Sequence, residues 1–262
     1  GQPLSSVTSP RRGSAVESSS QYTMAADILL VVMATAVAQS IFGVGVLLFG
    51  TPLLLLLGYD FVYVLAVLLP VSLAINLLQI VRHHASVDFA LYRKVLLFAL
   101  PPIVVFLFLV TQVRIDIGLV VGLFLLFIAG KEFLPAMDHA INTMMRHESI
   151  YIFVMGTIHG MSNLGGSLLT ALVHHKGYGR DVTRVTVAIC YATFATVQLL
   201  TLALSRGQWL DISFAANGAY LLAGAMVFLV VESMFFTAIA SERYRRIFAG
   251  FLAVSGMVLL LR

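Results

Sequence analysis

The chain has 262 residues, 60% of them hydrophobic and 11% charged, with a mean hydropathy of +0.99 and a formal net charge of +4. A soluble globular domain carries roughly 45–50% apolar and about 25% charged residues, so this chain has too little polar surface for water. Several of its apolar runs reach the roughly 20 residues that cross a bilayer, and no alternating ten-residue pattern points to a β-barrel. The composition therefore predicts an all-α polytopic membrane protein. The cations stand singly in loops, without a basic stripe interleaved with aromatics, so the net charge is a topology signal and no nucleic-acid partner is expected. The one cysteine, Cys190, lies in an apolar run and excludes an intramolecular disulfide or an all-cysteine metal site.

Residues 1–23 are Ser-, Pro- and Arg-containing with few apolar groups and are expected to be a disordered tail without the apolar core of a signal peptide. Met24 reads as a natural start, with the preceding residues either an added remnant or a native tail. Apolar segments then run over 25–42 and 46–57, on either side of the glycine break Phe42-Gly43-Val44-Gly45-Val46. Further segments follow at 61–81, 95–110 and 115–133. A polar cytoplasmic connector is predicted at 135–148, carrying Asp138, His139, Arg146 and His147. Segments 149–159 and 165–173 flank a second break, Ser162-Asn163-Leu164-Gly165-Gly166, and 183–204, 214–238 and 247–261 complete the chain.

The order of features repeats. Thr51 is followed by Gly58-Tyr59 as Thr170 is by Gly177-Tyr178, and Gln79 recurs as Gln198. This weak similarity predicts two repeats, 24–134 and 149–262, as in a duplicated transporter. The first apolar stretch holds about 33 residues, or roughly 50 Å of helix, too long for a hydrocarbon core of about 30 Å. A hairpin that enters and leaves on one side fits it, followed by three full spans in each half. That odd number of crossings inverts the second half relative to the first. Two full spans in place of the hairpin give the same parity; a single broken, tilted span does not.

On this topology Arg11, Arg12, Arg114, Arg206 and Arg262 share the side of the termini. The remaining eleven of the 16 Lys and Arg residues lie on the other side. Cytoplasmic loops carry the Lys/Arg excess, so both termini are predicted extracytoplasmic.

The run Ala38-Gln39-Ser40-Ile41-Phe42-Gly43-Val44-Gly45, followed by Thr51-Pro52 and Gly58, resembles the first signature of the sulfite exporter TauE/SafE family. His159-Gly160-Met161-Ser162-Asn163-Leu164-Gly165-Gly166 resembles its second-half counterpart. The stretch from Gly224 through Glu242-Arg243-Tyr244-Arg245-Arg246 to Gly256 is similar to the family's closing helix pair. The resemblance extends over about residues 25–262. The family's usual glycine run is reduced here to Gly43/Gly45 and Gly165/Gly166. The resemblance implies transport of a sulfur-containing anion, such as sulfite or a sulfonate, across a cell (plasma or inner) membrane.

An anion needs compensation in a low-dielectric membrane, where a bare Lys or Arg is costly. Helix N-termini supply N–H groups and partial positive charge, and glycine lets the backbone approach a ligand. Val44, Gly45 and Val46 are expected to present N–H groups from the first tip, and Leu164, Gly165 and Gly166 from the second. The plainer alternative is that these glycines only let helices pack closely. Gln39, Ser40, Ser162 and Asn163 flank the breaks. Asn76 and Gln79 lie one turn apart in the third segment, with Thr193, Thr196 and Gln198 on its counterpart. Such amides and hydroxyls can donate to sulfonate oxygens or serve as interhelical hydrogen bonds.

Two ionisable groups are proton-coupling candidates. His159 precedes the second break; it either takes a proton with the anion or acts as a neutral structural donor. Glu232 lies in a long apolar run; the alternative is pairing with Arg243 or Arg246 near the cytoplasmic end. The pairs His83/His84 and His174/His175 read as interfacial side chains, so no metal or other cofactor is expected.

No Walker A, His-Glu-x-x-His or Gly-x-Ser-x-Gly pattern is present, so the chain is not read as an ATPase or other enzyme. The expected activity is a secondary transporter working by alternating access, with an anion channel built on the same tips as the alternative. Expected partners are a small anionic substrate, the lipid bilayer and, as a candidate homo-oligomer, further copies of the chain.

Overall fold

In the computed structural model the described residues are 13–83, 87–113, 116–206, 214–235 and 242–261, and they form eleven helices without a strand. In the first half these are α1 (Gly13–Phe42), α2 (Val46–Leu56), α3 (Phe61–His83), α4 (Phe89–Gln112) and α5 (Ile117–Phe133). The linking α6 is Pro135–Met145. The second half holds α7 (Glu148–Ser162), α8 (Gly166–His175), α9 (Arg180–Arg206), α10 (Phe214–Phe235) and α11 (Glu242–Leu261).

Helical backbone begins at Gly13, three turns before the expected boundary at Met24, while residues 1–12 lie outside the described ones. Between Gly13 and Phe42 no proline or further glycine interrupts the chain, so a helix nucleated by its apolar part propagates back through the polar part. The connector is itself a helix, α6, opened by Pro135 in its first turn, where a missing N–H costs nothing.

Among the described residues four helices are long and apolar enough to cross a membrane, over Phe61–Arg82, Phe89–Gln112, Asp181–Ser205 and Ala215–Met234. The third expected span of each half has a shorter apolar run, Ile117–Gly130 in α5 and Ala249–Leu261 in α11. Lys131 and Glu132 close the first run, and Glu242 to Arg246 occupy the opening turns of the second helix. These two helices pack on each other through Gly122 and Gly256. A Cβ on Gly256 would stand 2.8 Å from the Gly122 carbonyl.

The halves interleave. α1 packs on α10 and α4 on α7; α3 packs on α9 and α5 on α11. Contacts of α3 with α10 and of α4 with α9 complete the centre, and α2 and α8 lean on α3 and α9. Exchanging the first half for the second maps these pairings onto themselves. Gly156 and Gly160 of α7 let it close on α4: a Cβ at either would stand 2.6–2.7 Å from the Ala99 or Ile103 carbonyl.

On α4, Val95, Ala99, Ile103 and Leu107 form a buried stripe four residues apart, while Leu97, Val105 and Phe108 face outward. An apolar face outside an apolar core suits lipid rather than water. Pro52, Pro70, Pro101 and Pro102 sit inside helices, as bilayer helices allow.

Candidate substrate site at two helix breaks

α1 stops at Phe42 because Gly43 adopts φ 78°, the left-handed conformation that turns a helix end. The Gly43 N–H bonds back to the Gln39 carbonyl at 2.8 Å. Two residues on, a Cβ at Gly45 would stand 2.6 Å from the Gln39 nitrogen and 2.9 Å from the Thr35 carbonyl. Only glycine fits that approach, which lets the chain reverse into α2. Val44 packs, half-buried, against the core.

The Gln39 amide closes this break on itself. Its Oε1 accepts the Val46 N–H at 3.0 Å and its Nε2 donates to Asn76 Oδ1 at 3.2 Å. Asn76 Nδ2 in turn donates to the Ser72 carbonyl at 2.7 Å and lies 3.1 Å from its Oγ. Ser40 Oγ lies 2.8 Å from the Ala36 carbonyl and 3.2 Å from that of Phe228 on α10.

A buried charge cluster adjoins this break. Arg184 Nη2 of α9 donates to the Ser40 carbonyl at 2.7 Å. It also lies 3.2 Å from Glu232 Oε1, and Arg82 Nη1 reaches Glu232 Oε2 at 2.7 Å. The Arg184 and Glu232 side chains are 6% and 2% exposed, whereas Arg82 is 43% exposed.

The second break follows the same plan. His159 takes the place of Gln39, Asn163 that of Gly43 and Gly165 that of Gly45. Asn163 has φ 63°, and its N–H bonds to the His159 carbonyl at 2.8 Å. Its side-chain Nδ2 crosses to Thr51 Oγ1 of α2 at 3.1 Å. A Cβ at Gly165 would meet the Met155 carbonyl and stand 2.7 Å from His159 Cβ. Gly166 opens α8 against the Tyr191 hydroxyl, which fills the space a Cβ would need.

His159 is fully buried. Its Nε2 faces Gln198 Oε1 at 3.2 Å, so Nε2 carries the proton and Nδ1 is left as an acceptor. The ring packs edge-on to Tyr191 at 6.3 Å and against Phe194 at 5.0 Å. Ser162 Oγ donates to the Ile158 carbonyl at 2.7 Å and accepts the Leu164 N–H at 3.3 Å.

His159 Nδ1, Asn163 Oδ1, Gln198 Nε2 and both amide atoms of Gln79 are buried without a hydrogen-bond partner among the described residues. Buried polar groups normally find partners in protein, ordered water or ligand, and these are the atoms here with hydrogen-bonding capacity left for one.

The sequence matches the model of the sulfite exporter TauE/SafE family over residues 28–259. The chain belongs to the sulfite exporter TauE/SafE family. No curated protein and no solved structure matches it. As a TauE/SafE protein it is a multi-pass membrane protein of a transporter family.

In this TauE/SafE protein the named residues fall into two groups and three outliers. Gln39, Ser40, Gly43, Val44, Gly45 and Asn76 gather at the first break, and His159, Ser162, Asn163, Gly165, Gly166 and Gln198 at the second. Gln79 is buried on α3 without a partner. Thr193 instead bonds Tyr92 Oη of α4 at 2.9 Å, and Thr196 bonds its own helix at Ala192. Of the six N–H groups expected to face a ligand, those of Val46 and Leu164 are taken by Gln39 and Ser162, because side chains that can cap a turn do so when buried.

Glu232 pairs with Arg82 and Arg184, residues 150 and 48 positions away; the side chains of Arg243 and Arg246 lie outside the described ones. Arg184, Tyr191 and Ser72 were not among the expected site residues, and Thr51 entered only through the repeat and the family signature. Arg184 carried a signal of its own, a cation at the second position of the apolar segment 183–204. Among the described residues no group of three His, Cys, Asp or Glu could hold a metal ion. His174 and His175 end α8 at the surface, while His84 lies outside the described residues.

Proposed function

We propose that this chain is a secondary transporter that moves a small sulfur-containing oxyanion or organosulfonate across a cell membrane by alternating access. Family membership carries this reading. Two inverted repeats, 24–134 and 149–262, would rock around the two breaks, with both termini extracytoplasmic. The helix pairings that survive exchange of the halves, and the shared plan of the breaks, support it.

In this mechanism the anion lies against the N-termini of α2 and α8, where the N–H groups of Val44, Gly45, Gly165 and Gly166 and partial positive charge compensate it without a mobile cation. Gln79 and Gln198 have amide groups free to complete its shell. Glu232 acts as counter-ion to Arg184 and Arg82. His159, with Nδ1 unpartnered, is the better placed of the two proton-coupling candidates.

The test is transport of radiolabelled sulfite or sulfonate in proteoliposomes. Gly165→Leu and Gly45→Leu, which drive bulk into the backbone at each break, should abolish it. Normal transport by both variants would refute the reading. Electrical currents far above about 10³ ions per second per protein would show a channel instead, because carriers complete μs–ms cycles.

A further inference from the structure

The two breaks share a plan but differ in what their side chains leave open. At the first, the Gln39 amide is used at both ends and Asn76 passes the chain on to Ser72. At the second, three polar atoms stand buried and unpartnered among the described residues: His159 Nδ1, Asn163 Oδ1 and Gln198 Nε2. They lie together. Gln198 touches the His159 ring at 3.2 Å, Asn163 sits one turn along on the His159 carbonyl, and Gly165 at the start of α8 rests on His159 Cβ.

Two of those atoms are acceptors and one is a donor. A ligand that offers only oxygens satisfies the Gln198 amide and the Gly165 and Gly166 N–H groups ahead of the hydrogen-bonded turn of α8, but leaves His159 Nδ1 and Asn163 Oδ1 bare. Leaving a buried acceptor bare costs its full desolvation. The charge matters as well. The buried cation Arg184 is engaged with Ser40 and Glu232 at the first break. A second negative charge on the ligand would therefore meet only partial charges, in surroundings where net charge is costly.

We propose that the second break selects a sulfur oxyanion that is a monoanion and brings its own O–H donor, as hydrogen sulfite or a hydroxyalkanesulfonate does. Its oxygens take the Gln198 amide and the Gly165 and Gly166 N–H groups, while its hydroxyl donates to His159 Nδ1 or Asn163 Oδ1. This specificity rests on the sulfur-anion reading above. A proton then crosses on the substrate, and His159 serves the coupling by accepting that hydrogen bond rather than by ionising.

The test uses the purified full chain and calorimetric titration with two stable monoanions of similar size, 2-hydroxyethanesulfonate and ethanesulfonate. The hydroxylated ligand should bind about tenfold tighter or better, the order expected when one buried acceptor is satisfied rather than stranded. Sulfite, titrated below and above the second dissociation of sulfurous acid, should bind tighter below it. The preference should collapse towards unity in at least one of His159→Phe, which keeps the ring packing, and Asn163→Gly, which keeps the backbone conformation, according to which acceptor holds the hydroxyl.

Equal binding of the two sulfonates overturns the donor requirement but leaves the sulfur-anion reading standing. Tighter sulfite binding above the dissociation overturns the monoanion requirement. A preference unchanged in the folded variants overturns its assignment to the second break. No binding of any of the three ligands overturns both this inference and the reading beneath it.

Discussion

Arg184 Nη2 donates to the Ser40 carbonyl at 2.7 Å, so a cation on α9 caps the C-terminal end of α1 inside the protein. A helix end leaves carbonyls without partners and carries partial negative charge, and a cation there is favourable. Glu232 balances that cation from α10. Three helices are therefore tied at the first break by one guanidinium.

Removing one partner of a buried ion pair strands the other. Arg184→Met is expected to lower stability by roughly 3 kcal/mol, at the low end of the range for such pairs because Arg82 still holds Glu232. The double variant Arg184→Met/Glu232→Leu should recover most of that loss, since no uncompensated carboxylate remains. Thermal unfolding in detergent checks both, and a double variant worse than the sum of the singles would contradict the pairing.

Asn163 combines a left-handed backbone with a cross-half hydrogen bond to Thr51. Asn163→Gly keeps the conformation and loses only the bond, for about 1 kcal/mol. Asn163→Ala loses the bond and adds about 1–2 kcal/mol of backbone strain. The ordering wild type, Gly, Ala in melting temperature is the readout.

Glycines at the break and in a span should respond oppositely to alanine. Gly166→Ala drives a methyl group into the Tyr191 hydroxyl and should cost about 1–3 kcal/mol. Gly218 of α10 has nothing within 4 Å of an added Cβ, so Gly218→Ala should stabilise the helix by up to about 1 kcal/mol. Melting temperatures of the two variants separate the cases.

At the loop ends, outside the spans, Tyr178 donates to Asp88 Oδ2, and Asp88 caps α4 through the N–H groups of Ala90 and Leu91. The Tyr178 hydrogen bond, followed by those backbone bonds and nearby Lys176, holds the Asp88 carboxyl below its ordinary 3.8. The same bond, with burial, pushes Tyr178 up from 10.0 to about 12. A depressed carboxyl contributes stability above its unfolded value and loses it as pH falls through the lowered one. A raised phenol contributes fully below 10.0 and loses that contribution as pH rises towards about 12. Tyr178→Phe should therefore lower the melting temperature at neutral pH and flatten both the acid and the alkaline arm of its pH profile.

Much of this architecture is legible in the chain itself. Gly43 and Gly45, and Asn163 and Gly165, punctuate apolar runs that would otherwise continue as helix, and the structure breaks at both places. The spans follow from apolar length, but helices run on into their flanks: residues 13–23 are carried into α1, 89–94 into α4 and 242–246 into α11. Propensity and periodicity are local, and these features depend on local sequence.

The composition and the spacing of apolar runs by themselves determined a helical membrane protein, two glycine-marked breaks and the resemblance that became its family. Only the tertiary structure decided which polar groups meet. Glu232 with Arg184 and Arg82, Asn163 with Thr51, and Tyr191 against Gly166 join residues from different helices, and no local pattern encodes such pairings. The same packing closes Gln39 upon Val46 and Asn76 but leaves His159, Asn163 and Gln198 with open hydrogen-bonding atoms. In a low-dielectric interior a polar atom's cost depends on whether a partner lies within about 3 Å, and only the folded arrangement of helices fixes that distance.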